Sequence, residues 1–211
     1  MTATAPTQIE IPGLRASAPQ PLPFAPSLHI RAFVLERSRG DVLIYSTATL
    51  QDMEGVSRWY LNHGHEAMFL SDSVTAPLFV HEADRPSVER KAHVRATFSR
   101  RHLLDDDFEV IPTPGHTPGA TAYLWDSGEH RFLFTGDTVF LRDGKWVGAV
   151  LDSSDRAAYL ESLELLRELD FDVLMPWAAS AGQPFHAVTS RAQARRRLDA
   201  LAARVRAGGD G

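Results

Sequence analysis

Thr113 to Gly119 reads TPGHTPG, and the reading of this loop decides the fold. Pro114 and Pro118 stiffen it, Gly115 and Gly119 let it turn tightly, and His116 is left presented between them. On either side FEVIPT and ATAYLW are β-rich, so the loop joins two strands. About twenty residues on, Phe134 to Thr138 reads FTGDT; Gly136 closes an apolar strand and Asp137 stands at its exit. Upstream, Tyr60 to Leu70 reads YLNHGHEAMFL, with His63 and His65 one residue apart. In an extended or loop segment such residues project to the same side, so both imidazoles can face one ion.

The chain has 211 residues, the size of one domain with a substantial core. A formal net charge of -5 gives no basic field for nucleic acid or anionic lipid, so neither is an expected partner. There is no cysteine, and any metal must be held by His, Asp, Glu or water. The first residues show no basic region followed by an apolar run, and nowhere do about 18 apolar residues follow one another. A cytoplasmic protein acting on a small molecule is the expectation, with oligomeric state open.

Residues 1–27 are rich in Pro, Ala and Thr and read as an extended lead-in; residues 28–211 read as a single domain. The sheet is expected to start at Leu28, where LHIRAFVLE and VLIYS flank a Gly-containing turn. APLFVH is a further strand, and residues 82–101 fit a helix or a solvated connection. Asp126-Ser127-Gly128 signals a hairpin turn. Leu160, Leu163, Leu166 and Leu169 recur at helical spacing behind a Ser/Asp cap, and Leu198, Leu201 and Val205 stripe a terminal helix. Strand runs closed by helices predict an α/β protein with two sheets packed face to face under outer helices.

These motifs resemble the metallo-β-lactamase fold hydrolases, among them the glyoxalase II-like thioesterases and lactonases. The resemblance runs from about Leu28 to Pro176 through DVLIYST, H-x-H, PLFVHEAD, VIPTPGHTPGATAYLW, FLFTGDTVF and DVLMP. It implies a four-layered αβ/βα sandwich with a metal site at one edge. It also implies that His63, His65 and His116 hold one metal and that Asp137, which bridges two ions in family members, takes part in binding and catalysis. The second-metal ligands of the family, an Asp and a His after H-x-H and a late histidine, are replaced by Ala67, Met68 and the stretch WAAS.

Three imidazoles and one carboxylate suit a single divalent cation, Zn²⁺ first and Fe²⁺ or Mn²⁺ as alternatives. Such an ion lowers the pKa of its water from 15.7 to roughly 7. One reading is therefore a mononuclear hydrolase of an ester, thioester or lactone-type bond that uses a metal-bound water. The other is a catalytically silent member of the fold that binds a ligand or partner in the old cleft. Glu66 and His186 are candidate replacements for the lost groups, although Glu66 is expected to point away from its histidine neighbours in an extended segment. Ser180 and His81 read as structural, and Trp177 as a cleft-wall residue.

Overall fold

A computed structural model describes residues 11–50 and 55–209. In chain order its first strands are β1 (Leu14–Ala16), β2 (Gln20–Leu22), β3 (Ala25–Ile30), β4 (Phe33–Leu35), β5 (Asp41–Ile44) and β6 (Val56–Tyr60). A 3₁₀ segment, Gly64–Phe69, precedes β7 (Leu78–His81), helix α1 (Arg85–Val88) and β8 (Val94–Phe98). Then come β9 (His102–Leu104), β10 (Phe108–Pro112), β11 (Thr121–Asp126), β12 (Arg131–Gly136), β13 (Phe140–Arg142) and β14 (Lys145–Val147). Helix α2 (Arg156–Glu168), β15 (Val173–Pro176), β16 (Ala178–Ser180), β17 (Ala187–Val188) and helix α3 (Arg191–Arg206) complete the order.

Two six-stranded sheets, β1-β4-β5-β6-β7-β8 and β17-β15-β12-β11-β10-β9, face each other. The aromatic rings between them make the contact: Tyr60 packs on Tyr123 at 5.5 Å and Phe33 on Phe134 at 5.9 Å. On the outer face of the second sheet, Ile111, Leu124 and Leu133 join Leu163 and Leu166 of α2 and Leu198 and Leu201 of α3 in a second buried cluster. Both stripes thus bury most of the residues that their 3.6-residue periodicity selects, with Leu160 only partly buried. Asp155 caps α2, accepting from the Ala158 amide at 3.0 Å.

The structure departs from the sequence reading in three places. Strands begin before Leu28: β1 pairs with β4, and β2 pairs with β3. That hairpin joins β16, β13 and β14 in a third sheet of five strands. The first ten residues of the lead-in lie outside the described residues. Residues 82–101 hold only the four-residue α1, then strand β8, whose exposed Arg95 and Ala96 hide the alternation expected of a half-buried strand.

Tyr45, just past β5, ties the sheets together. Its hydroxyl donates to the Met175 carbonyl at 2.7 Å and accepts from the Gly136 amide at 2.7 Å, and its backbone lies at φ 70. These bonds hold a non-glycine residue in the left-handed region and fix the strand end that carries Asp137. Gly136 itself lies at φ 54, and a Cβ there would overlap the side chain of Asn62. Gly136→Ala is therefore expected to cost roughly 2–4 kcal/mol from positive φ and overpacking together. Thermal unfolding checks this; a variant as stable as the parent would show that Asn62 yields freely.

Candidate metal centre

Four loops meet at one edge of the sandwich. The first is the turn after β6. His63 adopts an extended conformation, φ -154 and ψ 164, as the N-cap of the 3₁₀ segment, and His65 lies inside that segment. The two imidazoles converge because the chain turns between them, the loop alternative of the extended or loop segment expected from the sequence. The buried Glu66 carboxylate holds this turn, accepting from the backbone amides of Ser46, Asn62 and His63 at 2.8, 2.7 and 3.2 Å. Glu66 thus braces the backbone under the histidines, and it is absent from the residues lining the adjacent groove.

The second loop is TPGHTPG. Gly115 lies at φ 140, and a Cβ there would collide with Tyr159 at the start of α2. Asp155 N–H donates to the Gly115 carbonyl at 2.9 Å, and Ser162 Oγ donates to the Pro114 carbonyl at 2.7 Å. The glycine fits the loop against the helix, and the helix fixes His116.

A third element clamps these two loops together. Asp84, at the end of HEAD and 6% exposed, accepts from the Gly64 amide at 2.8 Å, the Thr117 hydroxyl at 2.8 Å and the Gly119 amide at 3.1 Å. A Cβ on Gly119 would come within 2.6 Å of Asp84 Cγ, so the glycine is needed for close approach to the carboxylate. The fourth is the exit of β12, where Asp137 emerges and its carbonyl accepts from the Ala149 amide at 3.1 Å.

Ligand atoms of His63, His65 and His116 all lie within 4.8 Å of one another, so this group could hold a metal ion. Their rings stand nearly perpendicular, at 87°, 80° and 90° between planes. Neighbours set the tautomers. Asn62 turns its amide nitrogen to the Thr121 carbonyl, which leaves its oxygen to accept from His63 Nδ1 at 2.9 Å. His63 Nε2 is then an acceptor, and it is buried with no hydrogen-bond partner. His116 Nδ1 donates to the Ala149 carbonyl at 2.7 Å, so its Nε2 lone pair also faces inward, 3.1 Å from His65 Nδ1.

Asp137 Oδ2 lies 3.4 Å from His63 Nε2 and 3.5 Å from His116 Nε2. A tetrahedron with ligands about 2.0–2.1 Å from its centre has edges of about 3.3 Å, so these separations fit one cation. A buried, partnerless acceptor among imidazoles is also the polar atom that such an ion would satisfy.

Burial pushes His63 down to about 3, against the pull of the Asp137 carboxylate, and burial lowers His65 as well. Both are neutral at physiological pH, as ligation requires. Between about 3 and 6.5 the unfolded chain holds a proton on His63 that the folded chain does not. Its stability contribution is therefore full above pH 6.5 and is lost as pH falls towards 3. Glu66 contributes with the opposite sign, because burial raises its pKa. Metal-free protein is expected to lose Tm more steeply from about pH 7 to about pH 4 than its His63→Gln variant does. Equal slopes in circular-dichroism melts would contradict this.

Ala67 and Trp177 are buried beside the cluster; Trp177 packs edge-on against His63 at 5.2 Å and donates to the Ser46 carbonyl at 2.9 Å. Met68 and Trp177 line a groove of about 500 Å³ that also touches His65, His116 and Asp137. His186 lies elsewhere, in a smaller pocket with Ser180 and Asp143. Ser180, expected in a turn, is the last residue of β16, its hydroxyl accepting from the Asp143 amide at 2.9 Å. His81 accepts from the Ala83 amide at 3.2 Å in a local turn. Asn62, Asp84 and the bracing role of Glu66 escaped the sequence reading. Asn62 directly precedes H-x-H, whereas Asp84 is marked only by its place at the end of the PLFVHEAD strand.

The fold and site together define an α/β sandwich with a metal-competent histidine cluster at one edge. The family model of the metallo-beta-lactamase superfamily matches residues 42–178, and the chain belongs to that superfamily. It is 36% identical over 76 residues to a hydroxyacylglutathione hydrolase of Erwinia tasmaniensis, a match covering 36% of this chain and 27% of that protein. An archaeal metallo-beta-lactamase superfamily protein from Sulfolobus tokodaii superposes with a TM-score of 0.62 at 18% identity, covering 89% of this chain and 85% of the other. A subclass B3 metallo-beta-lactamase of Bradyrhizobium japonicum gives 0.61 at 16%, covering 86% and 90%. Among the described residues no helix is long and apolar enough to cross a membrane.

Proposed function

We propose that the chain is a single-metal hydrolase of an ester, thioester or lactone-type bond, its metal held by His63, His65, His116 and Asp137. The observation that carries this reading is the buried, partnerless His63 Nε2 converging with two further imidazoles and a carboxylate beside an apolar groove. The donor set suits Zn²⁺, with Fe²⁺ or Mn²⁺ as alternatives. When bound, such an ion supplies Lewis acidity that makes water nucleophilic near neutral pH. The partial likeness to a hydroxyacylglutathione hydrolase supports hydrolysis as the reaction class. Ala67, Met68 and Trp177 supply no ligands, which supports one ion over two.

The chain's own groups then divide the work. Asn62 and the Ala149 carbonyl hold His63 and His116 in the tautomers that aim Nε2 inward. Asp137, partly exposed at the groove, accepts a proton from the attacking water and returns it to the leaving group. The water oxygen bonds to the acyl carbon as the bond to the leaving oxygen or sulfur breaks. Apolar side chains such as Phe140, Val147 and Val150 line the groove beside Asp137 and give the acyl arm a surface to lie on.

Metal-reconstituted protein, assayed on simple esters, thioesters and lactones, is expected to show chelator-sensitive turnover. Asp137→Asn should lower kcat by roughly 10²-fold or more, the scale of a lost acid–base group. The competing reading, a silent ligand-binding protein, rests on the same apolar replacements of Ala67, Met68 and Trp177. Absence of turnover across the panel at full metal loading would favour it.

A further inference from the structure

Large apolar side chains are exposed at few places among the described residues: Phe24, Met68, Leu103, Leu151 and Val188. Three of these five, Phe24, Met68 and Leu151, line the groove beside the histidines. Phe24 is 73% and Met68 61% exposed, so apolar surface is concentrated where a ligand would lie. The β2–β3 hairpin supplies one wall through Leu22 and Leu28, and Trp177 and Phe140 line the groove too. At about 500 Å³ the groove is within the range of small-molecule sites.

Arg142 is the one arginine or lysine among the lining residues. It lies two positions after Phe140 on β13, on the same face, and its guanidinium stacks on that ring at 5.2 Å. No carboxylate pairs with Arg142 among the described residues, whereas Arg37, Arg131 and Arg167 each bridge an acid. Its neighbour Asp143 interacts with Ser180. An exposed cation stacked on Phe140 without an acid partner, at the rim of a groove that is apolar away from the histidines and Asp137, is a receptor for an anionic group on an apolar arm.

We propose that the substrate is an ester or thioester of an apolar acyl chain that ends in a carboxylate, with the chain in the groove and the carboxylate on Arg142. Hydrolysis adds water across the acyl bond and releases a dicarboxylate and an alcohol or thiol. This rests on the hydrolase reading above.

The test compares p-nitrophenyl esters of acetate, hexanoate and octanoate, and of the hexanedioate and octanedioate half-acids, on the reconstituted protein. Hexanoate should exceed acetate in kcat/KM by roughly tenfold or more, since each buried methylene is worth about fourfold. The better half-acid should exceed its uncharged counterpart by about fivefold. Arg142→Gln should bring the ratio of half-acid to uncharged ester down to about one, whatever it does to both rates together. Acetate equal to hexanoate, or a carboxylate advantage that survives Arg142→Gln, overturns the proposal and leaves the hydrolase reading intact. If no ester is turned over, the hydrolase reading fails. Calorimetry on metal-free protein with ethyl hydrogen octanedioate then reads the groove alone. Saturable binding weakened about fivefold in Arg142→Gln supports the receptor. Absence of saturable binding, or binding indifferent to Arg142, overturns it.

Discussion

His116→Ala is expected to remove bound metal and hydrolysis together while leaving the fold in place. His116 contributes Nε2, which lies between His65 Nδ1 and Asp137 Oδ2, at 3.1 and 3.5 Å. Its loss takes one of the four donors from a site shaped around all of them, so affinity should fall far enough for the ion to be lost on desalting. Turnover should fall by roughly 10³-fold or more, because an ion that supplies several kcal/mol of charge stabilisation is gone. Stability should change little by comparison: the loop remains anchored through Pro114, Gly115 and Asp84. Metal content and kcat measured on the same preparation check this. Full metal content in the variant would show that His116 is not a ligand.

Asp84→Ala should do the reverse and damage fold first. Three buried donors, the Gly64 amide, the Thr117 hydroxyl and the Gly119 amide, would lose their acceptor at once. Each unpaired buried donor costs about 1–3 kcal/mol, so a loss of roughly 3–5 kcal/mol is expected, with water recovering part of the total. The same bonds tie the His65 turn to the His116 loop, and metal affinity should fall by roughly 10–100-fold, as when an outer-shell partner is removed. Asp84→Asn keeps acceptor capacity for the amides and should recover much of the stability. Denaturant unfolding and metal titration measure the two effects. An Asp84→Ala variant with unchanged metal affinity would separate the clamp from the centre.

The contrast between these two residues explains what the sequence made legible. His63, His65, His116 and Asp137 sit in short motifs whose glycines, prolines and strand ends announce themselves locally, and the structure brings all four together. Asp84 has no such local mark. Its meaning lies in partners 20 to 35 positions away, which no periodicity reports. Tyr45 is similar: VLIYS reads as a strand, but the hydroxyl bond to Gly136, 91 positions on, sets its role. Glu66 was expected to face away from the histidines. Instead three backbone amides hold its carboxylate beneath the turn, with Oε1 3.4 Å from His63 Nδ1. The lead-in was unreadable as sheet because β1 and β2 are three residues each and depend on tertiary pairing.

The central claim is a single metal held by three histidines and Asp137, and elemental analysis of purified, unchelated protein tests it most directly. The prediction is about one Zn, Fe or Mn per chain after reconstitution, retained on desalting and absent from His116→Ala. Two tightly held ions per chain, or well below one after reconstitution, would contradict it.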